Sequence, residues 1–148
     1  MKKFDLNFYS GKRVLVTGHT GFKGTWLCRL LLNMGAQVTG YSLQPPTEPS
    51  IFGLAGMDRQ MNSITGDIRN LDRLLEVFRE NRPEIVLHLA AQPIVRESYK
   101  NPVYTYETNV MGTVNILECI RQTDSVRSFL NVTTDKVYHN REWEWGYR

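Results

Sequence analysis

The chain has 148 residues, enough for one domain with a sizeable core, and 41% of them are hydrophobic. Its 18 basic and 15 acidic residues give a net charge of +3. Because these charges are scattered, no basic face predicts binding to nucleic acid. No stretch approaches the length of a membrane span, and no apolar run follows Lys2 and Lys3. We therefore expect no membrane segment and no signal peptide.

The cysteines and histidines do not predict a disulfide or a metal site. Cys28 and Cys119 fall in helical patterns without framework spacing, so we expect buried thiols in a reducing cytoplasm. The three histidines, at positions 19, 88 and 139, lack the spacing of metal ligands.

Strand and helix patterns alternate along the chain. Strands are predicted at residues 13–17, 37–42, 61–65, 85–89 and 128–133. Strands that read as apolar runs between helices favour a parallel sheet covered on both faces. The predicted fold is α/β, a Rossmann-type doubly wound parallel sheet with the strand order 3-2-1-4-5.

Three longer helices and one short turn of helix connect these strands. The first helix ends at Gly35 and carries apolar residues on one face: Phe22, Trp26, Leu27, Leu30, Leu31 and Met34. A Pro-rich loop at 44–49 leads to a short helical turn near Phe52. Asn70 caps the second helix, which ends before Pro83. Asn101 and Pro102 open the third, whose apolar residues are Val103, Tyr106, Val110, Val114, Leu117 and Ile120.

A glycine pattern follows the first predicted strand and precedes the first helix. Gly18 permits a tight turn, Gly21 lets phosphates approach the main chain, and Gly24 lets the helix pack close to the strand. The helix N-terminus then directs free N–H groups at an anion. A phosphate loop of the NTPase kind is excluded because Lys23 precedes Gly24 instead of following it. The interpretation is dinucleotide binding, with a simple turn as the alternative.

The ends of the second and third strands leave two alternatives open. The acid that usually bonds the adenosine ribose is absent, and Tyr41 and Ser42 stand there. Ser42 could bond a ribose hydroxyl or could be a turn residue, so the choice between NAD and NADP is open from these residues. Asp67 with Ile68 could reach the adenine edge, or Asp67 could cap the following helix.

The last two strands are also followed by candidate site residues. Leu89, Ala90, Ala91 and Gln92 supply mostly small side chains against which a flat ring could lie. Asn109, on the third helix, needs a partner that could be main chain or water. Residues 133–138 place a hydroxyl, a carboxylate and an amine together at the end of the fifth strand. They are either a solvated turn or groups that act on a substrate alcohol.

Together these motifs resemble the extended short-chain dehydrogenase/reductases of the nucleotide-sugar branch. The resemblance is carried by residues 17–24, 66–68, 88–92, 108–113 and 133–136. More narrowly, the chain resembles the CDP-glucose 4,6-dehydratases through residues 18–24, 91–93, 135–136 and 140–148. The resemblance extends over the amino-terminal part of the proteins of that family. The implied organisation is an incomplete NAD-binding domain over 1–148, truncated before the last strands and the substrate domain.

The resemblance implies a lyase that makes CDP-4-keto-6-deoxyglucose, a deoxysugar precursor of surface polysaccharides, from CDP-glucose. Thr134 would lie beside the C4 oxygen, Asp135 would protonate the departing C6 hydroxyl, and Lys136 stands where related dehydratases carry the Glu that removes the C5 proton. The implied cofactor is NAD, and the implied assembly is a cytoplasmic homo-oligomer. The implied cofactor contacts are Gly18, Thr20, Gly21, Phe22, Gly24, Ser42, Asp67, Ile68, Leu89, Ala90, Ala91, Gln92, Thr108 and Asn109.

One departure from the family bears on activity. No tyrosine in the chain has a lysine four residues later, so the family's Tyr-x-x-x-Lys pair is missing. We therefore expect these 148 residues not to turn over alone. We also expect them to self-associate through the uncovered edge of the fifth strand. The alternatives are a non-catalytic dinucleotide-binding module and a nucleotide-sugar 4-epimerase or reductase.

Overall fold

A computed structural model describes residues 6–134 and 137–147 of the chain. Five strands form one sheet: β1 (Arg13–Thr17), β2 (Gln37–Ser42), β3 (Asn62–Thr65), β4 (Ile85–His88) and β5 (Ser128–Asn131). All four pairings are parallel and the order is β3-β2-β1-β4-β5, which confirms the predicted topology. The register places Thr17, the last residue of β1, beside both Tyr41 and His88.

Helices connect the strands, and the bounds are α1 (Phe22–Asn33), α2 (Ile51–Leu54), α3 (Leu71–Asn81), α4 (Val95–Lys100), α5 (Pro102–Tyr106) and α6 (Gly112–Gln122). A π-helical turn, Glu107–Met111, joins α5 to α6, and 3₁₀ turns occupy Leu6–Tyr9 and Met57–Arg59. Asn70 caps α3 as expected, its side chain accepting from the Arg73 amide. Asn101 likewise caps α5, with Pro102 in the first turn.

The core has two parts, one on each face of the sheet. Val14 and Val16 point to the face that α1 and α2 cover, whereas Leu15 points to the face that α3 and α6 cover. This alternation is the period of two expected of a strand buried on both sides. Cys28 lies in the first part and Cys119 in the second, both as free, buried thiols. Burial raises the pKa of each to about 12.

Part of the apolar face of α1 is exposed. Phe22, Trp26 and Leu30 are 69%, 53% and 51% exposed. The helix instead buries Gly24, Thr25, Cys28 and Leu31. Small residues face the sheet because α1 packs close to it, and this closeness leaves the large apolar residues on the outside.

The third predicted helix differs in the same way, and it is also interrupted. Its apolar stripe is exposed, at Val103, Tyr106, Val110, Val114 and Leu117. The side that packs inward carries Thr108, Gly112, Ile116 and Cys119. Gly112 is required there, since a Cβ would lie 2.4 Å from Ile68 Cδ1. The sequence pattern also missed α4.

Two further features concern the surface. Among the described strands β5 lies at the sheet edge and pairs with β4 alone, and Leu130 and Val132 near that edge are exposed. Self-association through this edge stays a prediction. Within residues 6–134 and 137–147, no helix is both long enough and apolar enough to cross a membrane.

Candidate functional site

The glycine loop, residues 18–24, leaves the end of β1 and leads into α1. Gly18 has a φ of +74°, and a Cβ there would lie 2.9 Å from the Ala90 amide nitrogen. A Cβ on Gly24 would lie 2.1 Å from the Gly18 carbonyl oxygen. Both residues must therefore be glycine for reasons internal to the fold.

Gly21 differs from the other two glycines. Its φ and ψ of −75° and 170° are open to any residue. A Cβ there would meet only the Gly18 carbonyl oxygen, at the ordinary contact distance of 3.4 Å. Gly21 is also the N-cap of α1 and offers no side-chain cap to the first-turn amides. Helix N-termini of this kind favour anions, and contact of these amides with a phosphate group stays a prediction.

Hydroxyl groups fasten the glycine loop to the end of β2. Thr20 Oγ1 and Ser42 Oγ lie 2.7 Å apart, and each lies within 3.0 Å of the Leu43 carbonyl oxygen. Both side chains are buried. This arrangement matches the turn interpretation of Ser42, while a contact with a ribose hydroxyl stays a prediction.

The His19 side chain points from the glycine loop into the protein interior. Its side chain is fully buried, its Nε2 lies 2.7 Å from Ser63 Oγ, and its ring meets Phe52 edge-on. A Cβ on Gly40 would collide with the ring. Burial lowers the pKa of His19 to about 4, so the ring is neutral at physiological pH. Its Nδ1 has no hydrogen-bond partner among the described residues.

Asp67 lies after β3 in a group of charged side chains. Its carboxylate accepts three hydrogen bonds from Arg69: one from the backbone amide and two from the guanidinium. Burial acts to raise the pKa of Asp67, but these bonds outweigh it and hold the pKa below its usual value. Arg69 also bonds Glu107 and lies over the Tyr104 ring. The cap interpretation of Asp67 is wrong because Asn70 caps α3, and the adenine contact stays a prediction.

Thr17 and His88 begin a chain of hydrogen bonds on the other side of the site. The Leu89 and Ala90 amides donate to Thr17 Oγ1 at 3.2 and 3.1 Å. The hydroxyl hydrogen of Thr17 is then directed at His88 Nδ1, 2.6 Å away. His88 Nδ1 accepts, which puts the ring hydrogen on Nε2.

The chain continues from His88 into the π-helical turn. His88 Nε2 lies 3.2 Å from Thr113 Oγ1, which donates to the Asn109 carbonyl oxygen at 2.8 Å. His88 is buried, and burial lowers its pKa to about 4. This neutral, singly protonated ring joins the ends of β1 and β4 to the π-helical turn. Sequence reasoning missed the contacts of Thr17 and Thr113, because the predicted strand order gives neither the register of β1 against β4 nor the π turn.

A pair of hydrogen bonds joins the Asn109 side chain to the Gln92 main chain, and we call this pair the amide clamp. Asn109 Oδ1 accepts from the Gln92 amide at 2.7 Å, and Asn109 Nδ2 donates to the Gln92 carbonyl at 3.0 Å. The Gln92 side chain bonds Thr105 Oγ1 and the Ile94 amide. Of the two partners considered for Asn109, the main chain is therefore the one found. The clamp holds residues 89–94 against the π-helical turn. Such π-helical turns are often found at functional sites.

The remaining candidate residues are placed as follows. Ile68 is buried against Gly112, and Thr108 is buried with an Oγ1 that has no partner among the described residues. Thr134 lies just beyond the end of β5 and is exposed. Asp135 and Lys136 lie outside the described residues. No group of three or more potential metal ligands occurs in the described part of the chain.

Fold and site together define a class, a Rossmann-type protein with a glycine loop at the end of β1. A family profile described as GDP-mannose 4,6 dehydratase matches residues 15–143. The chain therefore belongs to this family of nucleotide-sugar dehydratases and epimerases. It is 54% identical over 144 residues to a CDP-glucose 4,6-dehydratase of Salmonella typhimurium, covering 97% of the chain. It is 31% identical over 133 residues, or 88% of the chain, to a CDP-paratose 2-epimerase of Salmonella typhi.

The chain spans 40% of the length of the first relative and 39% of the second. Two solved structures also match this chain over part of their own length. A UDP-glucose-4-epimerase of Stenotrophomonas maltophila with bound NAD matches 90% of the chain and 40% of its own, with a TM-score of 0.76 and 26% identity. A UDP-glucose 4-epimerase of Brucella ovis in complex with NAD matches 80% and 35%, with a TM-score of 0.66 and 30% identity.

Proposed function

We propose that this chain is the cofactor-binding part of an NAD-dependent CDP-glucose 4,6-dehydratase. The observation that carries the cofactor assignment is Gly21. Neither its backbone angles nor its surroundings in the protein require a glycine, whereas a pyrophosphate approaching the first turn of α1 would. The relative that is 54% identical supports the substrate assignment, and the NAD named for the solved neighbours supports the cofactor.

The candidate residues divide between the two halves of the cofactor. The amides at the start of α1, with Gly18 and Gly21, would bind the pyrophosphate. Ser42, Asp67 and Ile68 would lie on the adenosine side, because they follow β2 and β3. Residues after β4 and in the π-helical turn would lie on the nicotinamide side. We propose these as Leu89, Ala90, Ala91, Gln92, Thr108 and Asn109.

The reaction would take place beyond β5. Bound NAD would supply a reversible hydride acceptor, which the substrate C4 position needs before water can leave across C5 and C6. The Thr134 hydroxyl would hold the C4 oxygen, and Asp135 would donate the proton to the departing C6 hydroxyl. Lys136 would steady the enolate, since a lysine accepts a proton only as the neutral amine, which requires a strongly lowered pKa. A base of the complete enzyme would accept the C5 proton, and hydride at C6 and a proton at C5 would then complete the 6-deoxy sugar. The product would be a precursor of the deoxysugars of surface polysaccharides.

A chimera tests the activity directly. The matched 144 residues of this chain replace the corresponding segment of the Salmonella typhimurium dehydratase, which supplies the rest of the enzyme. We expect 4-keto sugar to form from CDP-glucose, and Thr134→Val to lower kcat by about 100-fold as a lost catalytic hydrogen bond would. Thr133→Val, which also removes an exposed hydroxyl at this strand end, is the matched control.

Two outcomes would contradict the proposal. Conversion of UDP-glucose to its 4-epimer without loss of water would favour the epimerase alternative. A folded chimera that binds NAD but converts neither sugar nucleotide would favour a non-catalytic dinucleotide-binding module.

A further inference from the structure

Arg69 joins two parts of the candidate site that lie far apart in the sequence. Its guanidinium donates to the Asp67 carboxylate, in the loop after β3, through Nε and Nη2 at 2.9 and 2.7 Å. Its Nη1 donates to Glu107 Oε2, in the π-helical turn, at 3.1 Å. Its Cζ lies over the Tyr104 ring of α5, 4.9 Å from the centroid. The guanidinium is therefore held on three sides.

The main chain of the loop after β3 is fixed without this guanidinium. Asn115 Nδ2 donates to the Ile68 and Arg69 carbonyl oxygens at 3.0 and 3.1 Å. The Tyr41 hydroxyl donates to the Asp67 carbonyl oxygen at 3.0 Å. Because these bonds already place the backbone, the part of the loop that the guanidinium orients is the side chain of Asp67.

The hydrogen bonds that reach the Asp67 carboxylate from the described residues leave room for one further donor. An ionised carboxylate has about four lone-pair sites. The Arg69 amide donates to Oδ1 and both guanidinium bonds go to Oδ2, so three of these sites are used. The fourth site is on Oδ1, and 27% of the side chain is exposed. Asp67 is thus held with one acceptor position open to an N–H group from outside.

The proposed cofactor has such an N–H group on its adenosine half. Adenine carries an exocyclic amino group, which can donate to a carboxylate oxygen, whereas hypoxanthine carries a carbonyl oxygen at the same place, which cannot. A hydrogen bond weakens steeply when the donor and the acceptor are misaligned. The affinity for adenine should therefore depend on the side chain that holds the carboxylate in place.

We propose that Arg69 is a positioning residue for the cofactor, which holds the Asp67 carboxylate toward the adenine amino group and ties it through Glu107 to the π-helical turn. This inference rests on the proposed function, which supplies NAD. Arg69 itself would not touch the cofactor. One side chain would nevertheless join the adenosine side of the site to the nicotinamide side.

Deamino-NAD, in which hypoxanthine replaces adenine, separates a positioning role from a structural one. We would titrate the 148-residue chain and its Arg69→Gln variant with NAD and with deamino-NAD in a calorimeter. The unchanged chain should prefer NAD, and Arg69→Gln should lower this preference about fivefold or more, as for a weakened hydrogen bond to a charged group. The two ligands have the same charge, so a lost attraction for phosphate would weaken both alike. The midpoint of urea unfolding should not move, because an exposed ion pair contributes little to stability.

Two variants serve as controls. Arg69→Lys keeps the cation but cannot make two bonds to Asp67 while it also reaches Glu107, so it should restore part of the preference. Arg121→Gln removes a guanidinium that likewise bonds a carboxylate, that of Glu118, through Nε and Nη2. This pair lies in the last turn of α6, and its loss should leave both affinities unchanged.

The two carboxylates complete the test. In an Asp67→Asn background, Arg69→Gln should lower the preference no further, because the group that it positions is gone. Glu107→Gln should lower the preference about twofold, since the guanidinium then loses one of its three supports. A preference that Glu107→Gln leaves unchanged would overturn the tie to the π-helical turn.

The positioning role and the proposed function fail in distinguishable ways. If Arg69→Gln weakens NAD and deamino-NAD equally, or weakens neither, the positioning role is overturned, even where the chimera described above is active. If the preference falls as expected while the chimera converts no CDP-glucose, the positioning role stands and the activity falls. No binding of either dinucleotide by the folded chain would overturn the inference and the cofactor assignment together.

Discussion

The glycine loop and the amide clamp lie on either side of the β1 end, and they are rigid for opposite reasons. The glycine loop is shaped by side chains that are missing, because Gly18 and Gly24 allow backbone contacts that any Cβ would block. The clamp is shaped by side chains that are present, because Asn109 bonds both main-chain groups of Gln92. A cofactor bound between the two regions would meet main-chain amides of the glycine loop on one side and residues 89–94, held by the clamp, on the other.

The two regions also differ in how completely their buried histidines are bonded. Both ring nitrogens of His88 have side-chain partners, whereas His19 has one side-chain partner, Ser63, among the described residues. A continuous hydrogen-bond network therefore fixes the β4 side, whereas packing around His19 and a separate group of hydroxyl hydrogen bonds fix the β1–β2 side. Acid should weaken both regions at once, whereas single substitutions should break one and leave the other intact.

Acid should produce the largest effect, because it acts on both regions together. Burial lowers the pKa of His19 and of His88 from 6.5 to about 4, so the unfolded chain binds protons before the folded one does. Stability is therefore complete above pH 6.5 and is lost as the pH falls toward 4. By linkage, each histidine should cost about 2 kcal/mol between pH 7 and pH 5.

Urea unfolding at a series of pH values measures this loss. His88→Gln should roughly halve the change between pH 7 and pH 5, since only His19 would then titrate. A free energy of unfolding that is constant over this range would show that neither ring is buried in its neutral form.

Gly24→Ala should break the glycine loop and leave the clamp untouched. A Cβ there meets backbone atoms of Gly18 and His19, which cannot move aside as a flexible side chain would. We expect a loss of about 3 kcal/mol in the free energy of unfolding, at the upper end for overpacking. Gly53→Ala, whose Cβ would meet only the Ser50 hydroxyl at 3.2 Å, is the matched control and should lose much less.

Asn109→Leu should break the clamp and leave the glycine loop untouched. It orphans the amide and the carbonyl of Gln92, and we expect a loss of about 2 kcal/mol in the free energy of unfolding. Asn109→Asp keeps the acceptor for the Gln92 amide but cannot donate to the carbonyl, so it should lose about half as much. Equal losses for the two variants would mean that packing, and not the reciprocal pair, fixes residues 89–94.

The sequence was sufficient to locate the glycine loop, but it predicted only part of the amide clamp. The glycine loop was predictable because the spacing of Gly18, Gly21 and Gly24 is local and lies between a strand and a helix. The same local signals gave all five strands and their order. The clamp joins residues 17 positions apart across a π-helical turn, so the sequence showed only that Asn109 needed a partner.

The exposed helix faces show a second limit of sequence reasoning. Apolar periodicity identified α1 and the α5–α6 segment as helices, but it did not indicate that Trp26 and Val110 would be exposed. Periodicity reports which residues share a face, while packing distance decides which face meets the sheet. Gly24 packs against the Gly18 backbone and Gly112 against Ile68, so the side of each helix that carries the glycine is the buried one.

The central claim, that the glycine loop is a dinucleotide site, is tested most directly by calorimetric titration of the 148-residue chain with NAD, using Gly21→Ala as the variant. We predict saturable binding to the unchanged chain. Gly21→Ala should weaken it about tenfold or more, which is 1.4 kcal/mol. Its free energy of unfolding should stay within about 0.5 kcal/mol, because the added Cβ would make only an ordinary contact, 3.4 Å from the Gly18 carbonyl oxygen. Saturable binding that Gly21→Ala leaves unchanged, or no binding by the folded chain, would contradict the account.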